Sequence, residues 1–151
     1  MPQSIAQVYI HLIFRTKNGY PFLNKNIRKR LNPYMAAIMK AYEAPVIEIN
    51  SVSDHIHILF RMSKKYLLSK VIEEVKKQPS RWLKEPEQGL LKFAWQNGYA
   101  AFSVSSSKLE AVRNYIKNQE KHHQDITFEQ EIEEFMQWYK VEEYDPSYFW
   151  D

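Results

Sequence analysis

Hydrophobic and polar positions along the chain follow two periods, and the switches between them predict the elements. Residues 8–15 alternate, with Val8, Ile10, Leu12 and Phe14 on one side and Tyr9, His11, Ile13 and Arg15 on the other, as in a strand that ends near Asn18-Gly19. Residues 24–42 change to helical spacing through Ile27, Leu31, Tyr34 or Met35, and Ile38. Pro33 inside that run predicts either a kink or a helix capped by Asn32 that begins at Pro33. Residues 45–52 read as a short strand with Ile47 and Ile49 on one face. After a turn at Asp54, residues 55–62 alternate again, Ile56, Ile58, Phe60 and Met62 opposing His55, His57, Leu59 and Arg61.

Leu67, Leu68, Val71, Ile72 and Val75 mark a second helix, supported by the Glu73/Lys77 pair and ended or bent by Pro79 before Trp82. Residues 93–104 read as strand, interrupted by the turn signal Asn97-Gly98. Ser107 precedes a helix over residues 108–123, and Thr127 with Gln130 forms a capping-box signature for a last helix reaching about Val141. Residues 142–151, rich in acids and aromatics, read as an extended tail.

The order β-α-β-β-α-β followed by helices predicts a mixed α/β (α+β) protein. Its expected form is a ferredoxin-like antiparallel sheet with C-terminal helices, one of them carrying Tyr115. At 151 residues the chain suits one domain, with a core over about 5–124 and an acidic C-terminal helix and tail over about 125–151. In this fold the first and third strands are central neighbours, helices cover one face and the other is open. That open face is expected to gather His11, His55, His57, Arg15 and Arg61.

Composition narrows the chemistry. With no cysteine, thiol catalysis, disulfides and thiolate metal sites are excluded. Three glycines and no GxxxxGK[ST] or GxGxxG pattern argue against a nucleotide cofactor. No basic leader precedes an apolar stretch and no apolar run is long enough to span a bilayer, so a cytoplasmic protein with no membrane partner is expected. Charge is unevenly distributed. Residues 1–124 hold 20 Lys and Arg against 9 Asp and Glu, whereas residues 125–151 hold one lysine against nine acids. A basic body of that kind suits a polyanion such as nucleic acid.

Two constellations carry candidate chemistry. His55 and His57, at i and i+2 on a strand, present both imidazoles on one side, a spacing that can chelate a metal ion from a rigid base. In the following helix, Tyr115 and Gln119 are i,i+4 and share a face, with His122 and His123 continuing that side. A tyrosine needs a nearby positive centre to attack phosphorus at neutral pH, because its ordinary pKa is about 10. A carboxamide oxygen from Gln119 beside two histidines suits a hard cation such as Mg2+ or Mn2+.

Together the segments SDHIHILF and VRNYIKNQEKHH, with the opening VYIHLIFRTKN and the stretch FAWQNGYAAFSVS, resemble the single-tyrosine HUH transposases of small single-strand insertion sequences, the IS200-like type. The likeness runs from about residue 5 to residue 145. It implies a DNA transposase that cleaves and rejoins single-stranded DNA at hairpin-marked ends through a 5′-phosphotyrosine. Tyr115 is then the nucleophile, His55, His57 and Gln119 the metal ligands, and Mg2+ or Mn2+ the cofactor. Asp54, His11 and His123 become candidates for supporting a ligand or touching substrate.

The resemblance also implies a homodimer in which the tyrosine helix of one subunit completes the histidine site of the other, with residues 98–108 as the hinge. Hairpin-bearing single-stranded DNA is the implied partner. Arg15 and Arg61 beside the metal, and Lys25, Arg28, Lys29, Arg30, Lys76, Lys77 and Arg81 on the helices, are the candidate DNA-binding residues. A relative acting on repetitive extragenic palindromes, or a non-catalytic single-strand-binding module on the same fold, are the alternatives.

Overall fold

The computed structural model describes residues 2–146, and the part of the expected tail beyond them lies outside the described residues. Its sheet is built from β1 (Tyr9–Arg15), β2 (Val46–Ser51), β3 (His55–Arg61) and β4 (Ala100–Val104), in the order β2-β3-β1-β4 with every pairing antiparallel. This is the ferredoxin-like arrangement expected from the sequence. Helices α1 (Lys25–Ala41) and α2 (Leu68–Leu83) cover one face. Leu12, Phe14, Ile56, Ile58 and Phe60 meet Leu31, Met35, Met39, Val71, Ile72 and Val75 there in the main core. Each of these larger apolar side chains stabilises the fold by about 1.5–3 kcal/mol on leaving water.

Both helix prolines are accommodated. Asn24, not Asn32, caps α1, its side chain accepting from the Ile27 N–H at 2.9 Å, and the helix continues through Pro33. Helix α2 likewise runs past Pro79 to Leu83. A proline removes one hydrogen bond, but the buried residues on either side of each (Leu31 and Met35, Val75 and Leu83) hold the turn against the sheet.

Three local expectations are corrected. Ile47 and Ile49 face opposite sides, Ile49 toward the main core and Ile47 toward the other layer, because the register with β3 shifts between Val46 and Glu48. The strand expected over 93–104 reduces to β4, with Trp95 making one isolated bridge to Thr16. The helix expected over 108–123 divides into α3 (Leu109–Lys117) and the single turn α4 (Gln119–His122), separated at Asn118 (φ −98°, ψ 19°).

The second sheet face is not open. Helices α3, α4 and α5 (Phe128–Trp138) lie over it, α5 starting from the expected capping box at Thr127 and Gln130. Phe128, Ile132 and Phe135 of α5 pack on Ile13, Ala100 and Phe102, while Val112 and Ile116 of α3 pack on Leu59 and Val104. The chain thus forms three layers, with the histidines between the sheet and the C-terminal helices.

Candidate active site

Strand register fixes the base of the site. Arg15 pairs with His55 and Ile13 with His57, so both histidines rise from β3 beside the end of β1. Burial is nearly complete, 1 % exposure at His55 and none at His57. Each ring is held through Nδ1: His55 on the Asp54 carboxylate at 2.7 Å and His57 on His11 Nε2 at 2.8 Å. His11 in turn contacts the Tyr139 hydroxyl through its own Nδ1 at 3.1 Å. Both Nε2 atoms are thereby directed to one point. Asp54 and His11 act as supports for the two ligand candidates, and His11 is too deeply buried to touch substrate in this arrangement.

At that point lies Glu131, from α5. Its carboxylate is fully buried and receives His57 Nε2 at 2.9 Å, His55 Nε2 at 3.3 Å and His123 Nε2 at 3.0 Å. The ligand atoms of His55, His57, His123 and Glu131 all lie within 4.8 Å of one another, a donor set able to hold a metal ion. Tyr115 donates its hydroxyl to the same carboxylate. Its ring stacks on His122 at 4.4 Å and lies 6.0 Å from the ring of His57 in the same chain.

Titration behaviour follows from this crowding. Burial alone would raise the Glu131 carboxyl, but the charge of His57 and the hydrogen bonds from His123, His55 and His57 hold it well below the usual range. Burial, and then the adjacent Glu131 charge, push the Tyr115 phenol far above its ordinary value. Burial lowers His11 and His57. His55 is raised, because its bonds to Asp54 and Glu131 outweigh its burial.

Gln119 is as buried as His57, yet neither its amide nitrogen nor its oxygen has a hydrogen-bond partner among the described residues. An unsatisfied buried carboxamide costs about 1–3 kcal/mol, so this side chain suits a ligand that the protein itself does not supply. Three imidazoles and a carboxylate within reach of one another fit a divalent ion well.

The expected DNA-binding residues divide. Arg15 is beside the site, 8 % exposed, with its guanidinium on Glu129 of α5 at 3.0 Å and 5.8 Å from the Phe128 ring. Arg61 is not beside the site. It pairs with Tyr9 at the far end of β3, about 20 Å from His55 by strand rise. Lys76 is half-buried, donating to the carbonyls of Gln96 and Gly98 at 2.7 and 3.1 Å, and Lys77 pairs with Glu74 at 3.2 Å. Arg28 pairs with Glu120 at 2.7 Å, and Arg30 donates to Gln88 and lies over Trp82. Lys25, Lys29 and Arg81 are exposed.

Glu131 was not among the residues singled out from the sequence. The signal for it is nevertheless present: the apolar stripe of α5 runs Phe128, Ile132, Phe135 at i, i+4 and i+7, and Glu131 takes the i+3 place. An acid on the buried face of an amphipathic helix requires partners.

A ferredoxin-like sheet with paired histidines on its central strand, facing a tyrosine helix, defines a class, and comparison with known proteins agrees. The family model described as "Transposase IS200 like" matches residues 4–119. The chain belongs to that family, and is therefore an enzyme of DNA strand transfer. No curated protein matches. Among solved structures, a protein described as a transposase from Deinococcus radiodurans R1 superposes with a TM-score of 0.59 at 20 % identity, covering 79 % of this chain and 98 % of its own. A REP-associated tyrosine transposase bound to a REP hairpin superposes with a TM-score of 0.62 at 13 % identity, covering 82 % of this chain and 72 % of its own. At these identities the two share the fold with this chain. Among the described residues no helix is long and apolar enough to cross a membrane.

Proposed function

We propose that this transposase cleaves and rejoins single-stranded DNA with Tyr115 as nucleophile, beside a divalent metal ion held by His55, His57 and His123, with Gln119 able to join them. The observation that carries this reading is that the Tyr115 hydroxyl and the Nε2 atoms of His55, His57 and His123 all converge on one carboxylate, Glu131. A phosphate placed there meets the nucleophile and the three imidazole nitrogens together.

The Tyr115 oxygen forms a bond to phosphorus as the bond from phosphorus to the 3′ oxygen breaks. The DNA 5′ end remains as a phosphotyrosine, and the phenolic proton is balanced by the one the departing 3′-hydroxyl gains. In the second step a 3′-hydroxyl attacks the adduct and Tyr115 regains its proton, so neither water nor ATP is consumed. The metal ion, when bound, neutralises charge on the phosphate. With an ion in place of the Glu131 contact, the Asp54 carboxylate and His11 Nε2 would accept the Nδ1 protons of His55 and His57, the tautomer that frees each Nε2 to bind it. An imidazole-rich set suits Mn2+ better than Mg2+, which demands oxygen ligands.

The tyrosine faces the histidines of its own chain, which supports action in cis; a homodimer exchanging tyrosine helices is the alternative. Exposed Lys25, Lys29 and Arg81, with Arg30 over Trp82, form the surface best suited to a DNA hairpin on the α1/α2 face. A second reading keeps the chemistry and takes repetitive palindromes as substrate, favoured by the REP hairpin bound to the structural neighbour. Incubation with Mn2+ and a single-stranded oligonucleotide carrying the hairpin beside the gene tests the proposal. A covalent protein–DNA band on a denaturing gel, absent with Tyr115→Phe, is expected; tight binding without any band would overturn it.

A further inference from the structure

The site as it stands has no room for its substrate. His55, His57 and Glu131 are 1 %, 0 % and 0 % exposed, and the atoms a phosphate would need are already engaged by a carboxylate. The nucleophile is engaged by the same group, its hydroxyl donating to Glu131. Two residues earlier on α5, Glu129 holds the guanidinium of Arg15, the basic side chain nearest the histidines. The segment that carries both acids, residues 125–151, has nine acids against one lysine, whereas the body it covers is basic.

We propose that α5 is a displaceable stand-in for the substrate strand: Glu131 on the histidines and Glu129 on Arg15 occupy the places of two phosphate groups of single-stranded DNA, which enters as α5 lifts from the sheet. This rests on the strand-transfer reading above and adds a binding surface to it, the β1/β3 face under α5, with Arg15 as a phosphate-binding residue.

The fold permits the movement. Helix α5 is held by an apolar cluster separate from the main core, Phe128, Ile132 and Phe135 on Ile13, Ala100 and Phe102 with Met136 and Tyr139 beside them, and by the Glu129 and Glu131 contacts, while the main core lies on the opposite face. Lifting α5 therefore leaves the α1/α2 layer intact, which is how locally unstable elements open without global unfolding. The exchange balances electrostatically, because each departing carboxylate is replaced by a phosphodiester of the same charge.

Amide hydrogen exchange on the full chain tests this, read over Ile132–Trp138 without DNA, with the hairpin alone, and with the hairpin carrying a single-stranded flank. Exchange in α5 is expected to rise at least tenfold with the flanked oligonucleotide only, while α1 and α2 remain protected. Glu129→Gln, which releases Arg15 without touching the histidines, is expected to bind the flanked oligonucleotide several-fold more tightly. Unchanged or greater protection of α5 with the flank bound, or weaker binding by Glu129→Gln, would overturn the proposal. No association of the flanked oligonucleotide with either protein would overturn it too. The two readings fail separately. An adduct formed while α5 stays protected removes the stand-in and leaves the chemistry. Opening of α5 without any adduct does the reverse.

Discussion

His11 supports His57 across the β1–β3 pairing, its Nε2 lying 2.8 Å from His57 Nδ1 in a fully buried contact. With Nδ1 of His57 so engaged, Nε2 is the nitrogen left for a metal ion, just as Asp54 leaves Nε2 of His55. Replacing His11 by phenylalanine keeps a ring against Phe102 and Phe135 but removes that bond. Loss of such a supporting partner typically lowers metal affinity by about 10–100-fold. Titration calorimetry with Mn2+ on His11→Phe should show this with the far-ultraviolet circular dichroism unchanged; unaltered affinity would remove His11 from the metal site.

Metal selectivity follows from the donors. The three imidazoles of His55, His57 and His123 should favour Mn2+ over Mg2+. Mn2+ at 100 times its Kd is expected to stabilise the folded chain by about 2.7 kcal/mol, with Mg2+ at the same concentration giving far less. Thermal melts in the two salts check this. Chelation should return the protein to its metal-free Tm rather than unfold it, because Glu131 already satisfies the histidines.

Stability of the metal-free protein should peak near the ordinary histidine value. His11 and His57 are held below 6.5 by burial, so just below that pH the unfolded chain binds protons the folded chain does not, and stability falls as pH falls. At His55 burial opposes protonation, but Asp54 and Glu131 raise it above 6.5. Its contribution is complete below 6.5 and is lost as pH rises through the folded value. Urea midpoints from pH 5 to 8 should therefore pass through a maximum, and His11→Phe should flatten the acid side. A midpoint that still rises toward pH 5 would contradict the assignment.

Cis action is open to a mixing test. Tyr115 lies 6.0 Å, ring to ring, from His57 of its own chain. A mixture of Tyr115→Phe and His57→Ala proteins should consequently form no covalent DNA adduct. Restoration of the adduct on mixing would establish exchange of tyrosine helices between subunits.

The sheet and the two histidines were legible in the sequence because alternation is a local property: Ile56, Ile58 and Phe60 must share the face opposite His55 and His57 whatever surrounds them. Tyr115 was legible from the resemblance. What local patterns could not show was the cover. Whether the second face is bare or occupied depends on where α5 docks, a long-range event, and Glu131 became visible only once that helix lay against β1 and β3. Arg61 was misplaced for a related reason. Side-chain alternation assigns a face but not a position along the strand, and β3 carries Arg61 to the end opposite His55. The break at Asn118 likewise separates Gln119 from the regular i,i+4 relation to Tyr115, and the sequence there carries no glycine or proline to mark it.

The central claim is that Tyr115 is the atom donor to phosphorus, and peptide mapping of the covalent adduct tests it most directly. The full chain is incubated with Mn2+ and a flanked hairpin oligonucleotide, digested with protease and nuclease, and analysed by mass spectrometry. A nucleotide remnant on the peptide containing Tyr115, joined through a 5′ phosphate, is the predicted result. A remnant on any other tyrosine, or cleaved DNA bearing a 5′ phosphate with no protein attached, would contradict the account.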